Sequence, residues 1–106
     1  MRAFASLRRQ AEVDRLRKRG RRTVTDALTL YRSDGHSRDR VSLVGITVSK
    51  AVGIAVVRNR IRRRLGAIAD EMLRELAPLR LLIVARPQAA VIPFASLREQ
   101  FQRALS

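Results

Sequence analysis

With 106 residues, of which 46% are hydrophobic, the chain is long enough for one domain with a modest core and too apolar for a disordered basic tail. It carries 23 Lys and Arg against 9 Asp and Glu, and this formal net charge of +14 costs self-repulsion and therefore predicts a polyanionic partner. The lack of cysteine excludes a disulfide framework and a Cys-ligated zinc site. No apolar run is long enough for a signal peptide or a membrane span, so we expect a cytoplasmic protein without a membrane partner.

The first element is predicted to be a basic helix over Ser6–Arg19. Ser6 is a suitable N-cap residue, and Gly20 is of the type that ends helices in the left-handed conformation. The apolar face of this helix is thin and consists of Leu7, Val13 and Leu16. The basic remainder fits a nucleic-acid contact and a solvated charged face equally well.

Two extended segments are predicted next, and we expect them to pair as an antiparallel hairpin. The first, Arg22–Ser33, is rich in β-prone residues and is expected to break near Asp26. The second, Arg40–Ser49, changes phase at Gly45, where we expect a bulge or a close backbone approach. Residues 33–37 (SDGHS) have the composition of the connecting turn. The candidates for burial in the second segment are Val41, Leu43, Ile46 and Val48.

The central feature is an acid-free segment, residues 48–65 (VSKAVGIAVVRNRIRRRL), which opens a helix predicted over Gly53–Leu76, before Pro78. Its apolar residues recur at steps of three and four and predict one buried stripe: Ile54, Val57, Ile61, Leu65, Ile68 and Met72. At about 100° per residue, Arg58 and Arg62 fall on one flank of the stripe. Arg60 and Arg64 fall on the other flank, and Asn59 and Arg63 point outward. A helix anchored by one face and basic on the others is suited to binding a polyanion.

The C-terminal part begins with Leu79–Arg86 (LRLLIVAR), a nearly all-apolar run typical of a central strand that is buried on both faces. A last amphipathic helix is predicted over residues 95–105, with an apolar face of Leu97, Phe101 and Leu105. The order α-β-β-(β)-α-β-α predicts an α+β fold, an α-β sandwich of one sheet and its helices.

No catalytic constellation of side chains is visible in the sequence. His36 lies in the predicted turn without a partner nucleophile or paired carboxylate, so we interpret it as a surface histidine. Asp70, Glu71 and Glu75 share one helix, and pairing at four-residue steps, such as Asp70 with Arg74, explains them better than a metal site does. No metal ligands are therefore predicted in the protein, and any hydrolysis must be supplied by another molecule.

Tyr31 is the aromatic residue most relevant to nucleic acid. It lies on the predicted hairpin, where alternate side chains could face a groove beside the central helix. Stacking of an unpaired base on a tyrosine is worth roughly 1–3 kcal/mol. A half-buried strand residue explains the same position equally well.

Residues 48–65 resemble the signature of the bacterial ribonuclease P protein component. In that family a hydrophobic strand ends in Ser-Lys, as at Ser49-Lys50, and precedes an Arg-Asn-Arg run that opens a long helix, as at Arg58-Asn59-Arg60. The resemblance extends over essentially the whole chain. It includes the basic helix ending at Gly20, the strand ending in Leu30-Tyr31, the Ile83–Arg86 strand and the C-terminal helix.

The resemblance implies that residues 1–106 are a single RNA-binding domain that assists a large catalytic RNA in removing the 5′ leader of precursor tRNA. Hydrolysis is then carried out by the RNA, which holds most of the required Mg²⁺. The implied partners are this ribonuclease P RNA, in a 1:1 complex, and the leader. The implied fold is a ribosomal-protein type of α-β sandwich with a left-handed βαβ crossover around the central helix, opposite to the usual hand.

Carried over by position, the resemblance implies two sets of site residues. The residues implied to contact the catalytic RNA are Arg58, Asn59, Arg60, Arg62, Arg63 and Arg64. The residues implied to line the leader cleft are Val13, Arg17, Tyr31 and Lys50. Val13 and Arg17 stand where relatives often have aromatic residues. Further departures are Ala51 in place of Lys, Ile54 in place of Asn, and Gly66 in place of a basic residue.

Two other functions fit parts of the pattern. A ribosome-associated protein that binds folded rRNA without a processing role would share the basic surface. A protein nuclease that acts alone is disfavoured because the sequence has no clustered acid/base or metal site.

Overall fold

The computed structural model describes all 106 residues as one five-stranded sheet with three α-helices. The strands are β1 Phe4–Ser6, β2 Arg21–Val24, β3 Leu28–Asp34, β4 Ser42–Thr47 and β5 Leu79–Ala85. The helices are α1 Gln10–Arg19, α2 Ala55–Leu73 and α3 Phe94–Leu105. The predicted α+β class is confirmed, and β1 is an additional short strand ahead of the predicted order.

The sheet order is β1-β4-β5-β3-β2, so the apolar run Leu79–Ala85 forms the central strand, as predicted. β5 pairs parallel with β4 and antiparallel with β3. The predicted hairpin between the two extended segments is therefore wrong, because β5 lies between them. Instead the first segment folds on itself: it breaks at residues 25–27, and its halves β2 and β3 pair antiparallel. β4, α2 and β5 form a βαβ unit, whose left-handed crossover stays a prediction.

One face of the sheet is covered by α2 and α3, and the main core lies there. The central part of the predicted α2 stripe, Ile61, Leu65 and Ile68, is fully buried. Ile54 is 72% exposed, contrary to its place in the stripe, because the helix starts only at Ala55. The predicted apolar face of α3 is buried at Leu97, Phe101 and Leu105. No helix in the structure combines the length and the apolar character that crossing a membrane requires.

The opposite face of the sheet is covered only in part, by α1. Leu7 and Leu16 pack there on Leu82 of β5 and form a second, smaller cluster. Gly45 of β4 lies beside this cluster, where a Cβ would stand 3.3 Å from Leu82 Cδ1. The pairing of β4 with β5 is continuous through this position, so the glycine reflects a close approach and not a bulge. Val41, a predicted core residue, is 42% exposed because it precedes the strand.

The N-terminal helix differs from its prediction at both ends. α1 begins at Gln10 with Arg9 as its N-cap, because Phe4–Ser6 forms β1, an edge strand parallel to β4. Ser6 is therefore not a cap. Gly20 ends the helix as expected, but at φ −69°, outside the left-handed region. A glycine fits there because a Cβ would lie only 2.6 Å from the Leu16 carbonyl oxygen.

Candidate nucleic-acid interface

The basic segment starts where β4 leaves the sheet. A short 3-10 turn, Lys50–Val52, follows the strand and is anchored by the buried side chain of Val52. At Gly53, a Cβ would stand 3.0 Å from Val57 Cγ1, so the absence of a side chain lets the turn pack against the first turn of α2. The start of α2 is thus held firmly at the carboxyl end of β4.

The buried stripe of α2 fixes which way its arginines point. Because Ile61 and Leu65 are fully buried, Asn59 and Arg63 point outward, and Arg62 is also exposed to solvent. The other three basic residues, Arg58, Arg60 and Arg64, are half-buried along the flanks. The exposure of Asn59 and Arg63 agrees with the positions predicted from the helical period. Arg62, predicted on a flank, is more exposed than the other flanking arginines.

Several of these side chains are already held in place within the chain. Arg62 Nη1 donates to Asn59 Oδ1 at 2.9 Å, and its Nη2 donates to the Val48 carbonyl oxygen at 3.4 Å. The Nε atoms of Arg58 and Arg60 are buried without an acceptor, so their stems are packed against the protein. Partly ordered guanidinium groups lose less conformational entropy when a partner binds.

The charge of this surface is not neutralised inside the chain. All five ion pairs use Arg74, Arg80, Arg98 or Arg103 as the cation. None uses an arginine of α1 or of the first half of α2. The two helices therefore present unpaired positive charge to solvent.

A partly buried apolar surface lies on the sheet face beside α1, and we call it the groove beside α1. Val13, Tyr31, Leu43 and Val84 are half-buried around the smaller core cluster. The Arg17 guanidinium lies 5.8 Å from the centre of the Tyr31 ring, in the range of a cation–π contact. The structure thus brings together an apolar floor, one aromatic ring and one free cation.

Of the four predicted cleft residues, Val13, Arg17 and Tyr31 come together in this groove. Lys50 lies beyond the carboxyl end of β4, and its ammonium group makes no ion pair. Sequence reasoning missed Val84 and Arg22. Val84 could have been found from the period of two in β5, but Arg22 lies directly opposite Tyr31 only because β2 pairs with β3.

The acidic residues of α2 are engaged in ion pairs. Asp70 accepts from Arg74 at 2.8 Å, as predicted, and also from the Ala3 backbone N–H at 2.6 Å. Both hydrogen bonds lower the pKa of Asp70, and the one from the Ala3 N–H has the larger effect. Two hydrogen bonds from Arg98, at 2.9 and 2.7 Å, lower the pKa of Glu71.

No three His, Cys, Asp or Glu side chains come together as a metal site. The basic surface does not suit Mg²⁺ either, because guanidinium groups have no lone pair for a cation.

The sequence profile of the ribonuclease P family matches residues 1–106. The chain belongs to this family. It is 39% identical to the ribonuclease P protein component of Thermobifida fusca, over 93% of this chain and 72% of the relative. It is 38% identical to that of Acidothermus cellulolyticus, over 93% of this chain and 83% of the relative. These matches place the chain among the protein subunits of a tRNA-processing endoribonuclease and do not favour the ribosome-associated alternative.

Solved structures of ribonuclease P proteins share the fold. The Staphylococcus aureus protein superposes with a TM-score of 0.84 at 22% identity, over 94% of this chain and 91% of that one. The Thermotoga maritima protein superposes with a TM-score of 0.72 at 19% identity, over 92% and 89% of the two chains. The α-β sandwich is therefore the fold of this family.

Proposed function

We propose that this chain binds the catalytic RNA of ribonuclease P and the 5′ leader of precursor tRNA, and so assists cleavage of the leader by the RNA. The observation that carries the proposal is the arginine surface of α2, which is rigidly mounted and has no acidic partner within the chain. Such a surface gains affinity by neutralising phosphates and releasing their counterions.

The two proposed contacts use different chemistry. The exposed and flanking residues of α2, centred on Asn59, Arg62 and Arg63, are suited to the phosphates of a folded RNA. The groove beside α1 offers an apolar floor and the ring of Tyr31, which suit the bases of a single strand. Lys50 lies in the short turn that joins β4 to α2, and we assign it to the leader contact together with Tyr31.

We further propose that the RNA, with its bound Mg²⁺, performs the hydrolysis. The protein contributes positive charge and holds the leader. Since neutralised phosphates repel one another less, the complex should need less Mg²⁺ to bind and cleave its substrate. We expect one protein molecule per RNA, acting in the cytoplasm where precursor tRNA is made.

Reconstitution tests this function. The purified protein is combined with a bacterial ribonuclease P RNA, and cleavage of precursor tRNA is measured across a series of Mg²⁺ concentrations. We expect stimulation at low Mg²⁺, saturation at one protein per RNA, and no cleavage by the protein alone. Absence of stimulation at every salt and Mg²⁺ concentration would refute the proposal, and cleavage without RNA would identify a protein nuclease.

A further inference from the structure

Arg2 reaches across the surface of α2 to Gly66. The position that a Cβ on Gly66 would occupy lies 3.4 Å from Arg2 Nη1 and 3.5 Å from Nη2. The guanidinium also stands 5.3 Å from the centre of the Phe4 ring. Gly66 is buried although it lies outside the core stripe, and it leaves a gap in the helix surface that Arg2 fills.

The backbone on both sides of Arg2 is fixed to α2. The Ala3 N–H donates to Asp70 Oδ1 at 2.6 Å, and Arg74 Nη2 donates to the Met1 carbonyl oxygen at 3.2 Å. One residue further, Phe4 begins β1 and pairs with β4. The guanidinium is therefore held at this place by the fold and does not depend on a flexible terminus.

This place continues a row of arginines along one flank of α2. Arg58, Arg62 and Gly66 follow one another at four-residue steps, so they lie above one another on the helix, each about 6 Å from the next. At the third position of this row, Gly66, the helix has no side chain, and Arg2 places its guanidinium there instead. Arg2 forms no ion pair, so its charge remains available to a partner.

We propose that Arg2 is an RNA-binding residue that provides the third phosphate contact of the row begun by Arg58 and Arg62. β1 delivers the side chain, and the glycine in α2 makes room for it. This inference rests on the proposed binding of the catalytic RNA by α2. Arg2 lies far from α2 in sequence, and only the packing of the N-terminus on α2 reveals that it belongs to this surface.

A charge relocation tests the inference. Binding of the full chain to a bacterial ribonuclease P RNA is measured between 50 and 200 mM salt for the wild type and four variants. These are Arg2→Gln, Arg62→Gln, the swap Arg2→Gln/Gly66→Arg, and the control Arg103→Gln, which removes a charge from α3. Thermal unfolding of each variant is recorded in parallel.

One lost phosphate contact lowers the slope of log affinity against log salt by about 0.7–0.9. We therefore expect the affinity advantage of the wild type over Arg2→Gln to shrink roughly 3-fold between 50 and 200 mM salt. The swap should restore the wild-type slope, because it returns a guanidinium to the same place from the helix itself. Arg103→Gln should leave the slope unchanged.

The possible failures are distinguishable. If Arg62→Gln lowers the slope and Arg2→Gln does not, the inference about Arg2 is wrong and the proposed function stands. If Arg2→Gln weakens binding, lowers the unfolding temperature and is not rescued by the swap, Arg2 is structural and the inference is equally wrong. If the wild type does not bind the RNA, the proposed function itself fails.

Discussion

The guanidinium of Arg80 donates hydrogen bonds to both oxygens of the Asp39 carboxylate, from Nε to Oδ2 at 3.0 Å and from Nη2 to Oδ1 at 3.2 Å. Its Nη1 also lies 3.0 Å from Glu12 Oε1. Arg80 belongs to the central strand, Asp39 to the loop before β4, and Glu12 to α1. One side chain, only 10% exposed, thus ties a loop and a helix to the middle of the sheet.

Arg80→Met should destabilise the protein. The change keeps the apolar stem and leaves two carboxylates without their cation. Breaking a fully buried pair costs about 3–5 kcal/mol, and we expect about 1–3 kcal/mol here because water reaches part of both acids. The free energy of unfolding, measured in urea, checks this value.

Glu12→Gln is the matched control for that prediction. Its side chain is 27% exposed and contributes only one of the three contacts, so its loss should cost well under 1 kcal/mol. If Arg80→Met were no more harmful than Glu12→Gln, the bidentate contact with Asp39 would not hold the loop.

Stability should fall in acid through Asp39. The hydrogen bond from Arg80, followed by the one from the His36 backbone N–H, lowers the pKa of this carboxyl in the folded chain. A lowered folded-state pKa adds stability that is fully present above the unfolded value, near 4, and is lost as the pH falls through the folded value. Unfolding temperatures between pH 2 and 7 should show this loss.

Asp39→Asn separates this effect from those of Asp70 and Glu71, whose pKa values are also lowered. The variant should be less stable at pH 7 and should show a shallower decline below pH 4. A decline as steep as that of the wild type would assign the acid sensitivity to the two carboxyls of α2.

Tyr31→Ala and Arg63→Ala should affect different partners. Loss of one stacked base costs roughly 1–3 kcal/mol, so Tyr31→Ala should weaken binding of precursor tRNA by the assembled enzyme roughly 5- to 150-fold. Binding of leaderless tRNA should be unchanged. Arg63→Ala should instead weaken binding of the catalytic RNA. It should also lower the slope of log affinity against log salt by the amount that one phosphate contact contributes.

Tyr31→Phe controls for folding, because it keeps the ring and loses only the hydroxyl. It should bind the leader nearly as well as the wild type. Should Tyr31→Ala lose the same affinity for tRNA with and without a leader, the groove beside α1 is not the leader site.

Gly20→Ala should lower the free energy of unfolding more than Gly45→Ala does, although both glycines have an extended backbone conformation that alanine can adopt. At Gly20 the new Cβ meets a backbone oxygen of Leu16 at 2.6 Å, which cannot move without distorting α1. We expect a loss of about 1–3 kcal/mol. At Gly45 the Cβ meets the movable Leu82 Cδ1 at 3.3 Å, and a smaller loss should appear in the same denaturation assay.

The parts of the fold that were predictable are those whose signal is local. The three- and four-residue spacing located α2, and the unbroken apolar run at Leu79–Ala85 identified a central strand. Strand partners were not predictable. The alternation of apolar and polar residues in β3 and β4 would be the same whether these strands paired with each other or with a third strand between them. β1 was missed since three residues carry no period, and its pairing with β4 is long-range.

The candidate site likewise has residues that were predictable from the sequence and residues that were not. The directions of Arg62 and Arg63 followed from the helical period, and the family resemblance supplied the groove residues. Arg2 and Arg22 were beyond reach, because each joins its surface through contacts with a distant segment. Only packing reveals such neighbours.

The central position of β5 has a consequence for synthesis of the chain. β5 is the last strand to be translated, yet both β3 and β4 depend on it as their neighbour. Until residues up to Ala85 have been added, no strand can join the pair β1–β4 to the pair β3–β2. Folding of the sheet must therefore wait until synthesis is nearly complete, and it cannot advance steadily from the N-terminus.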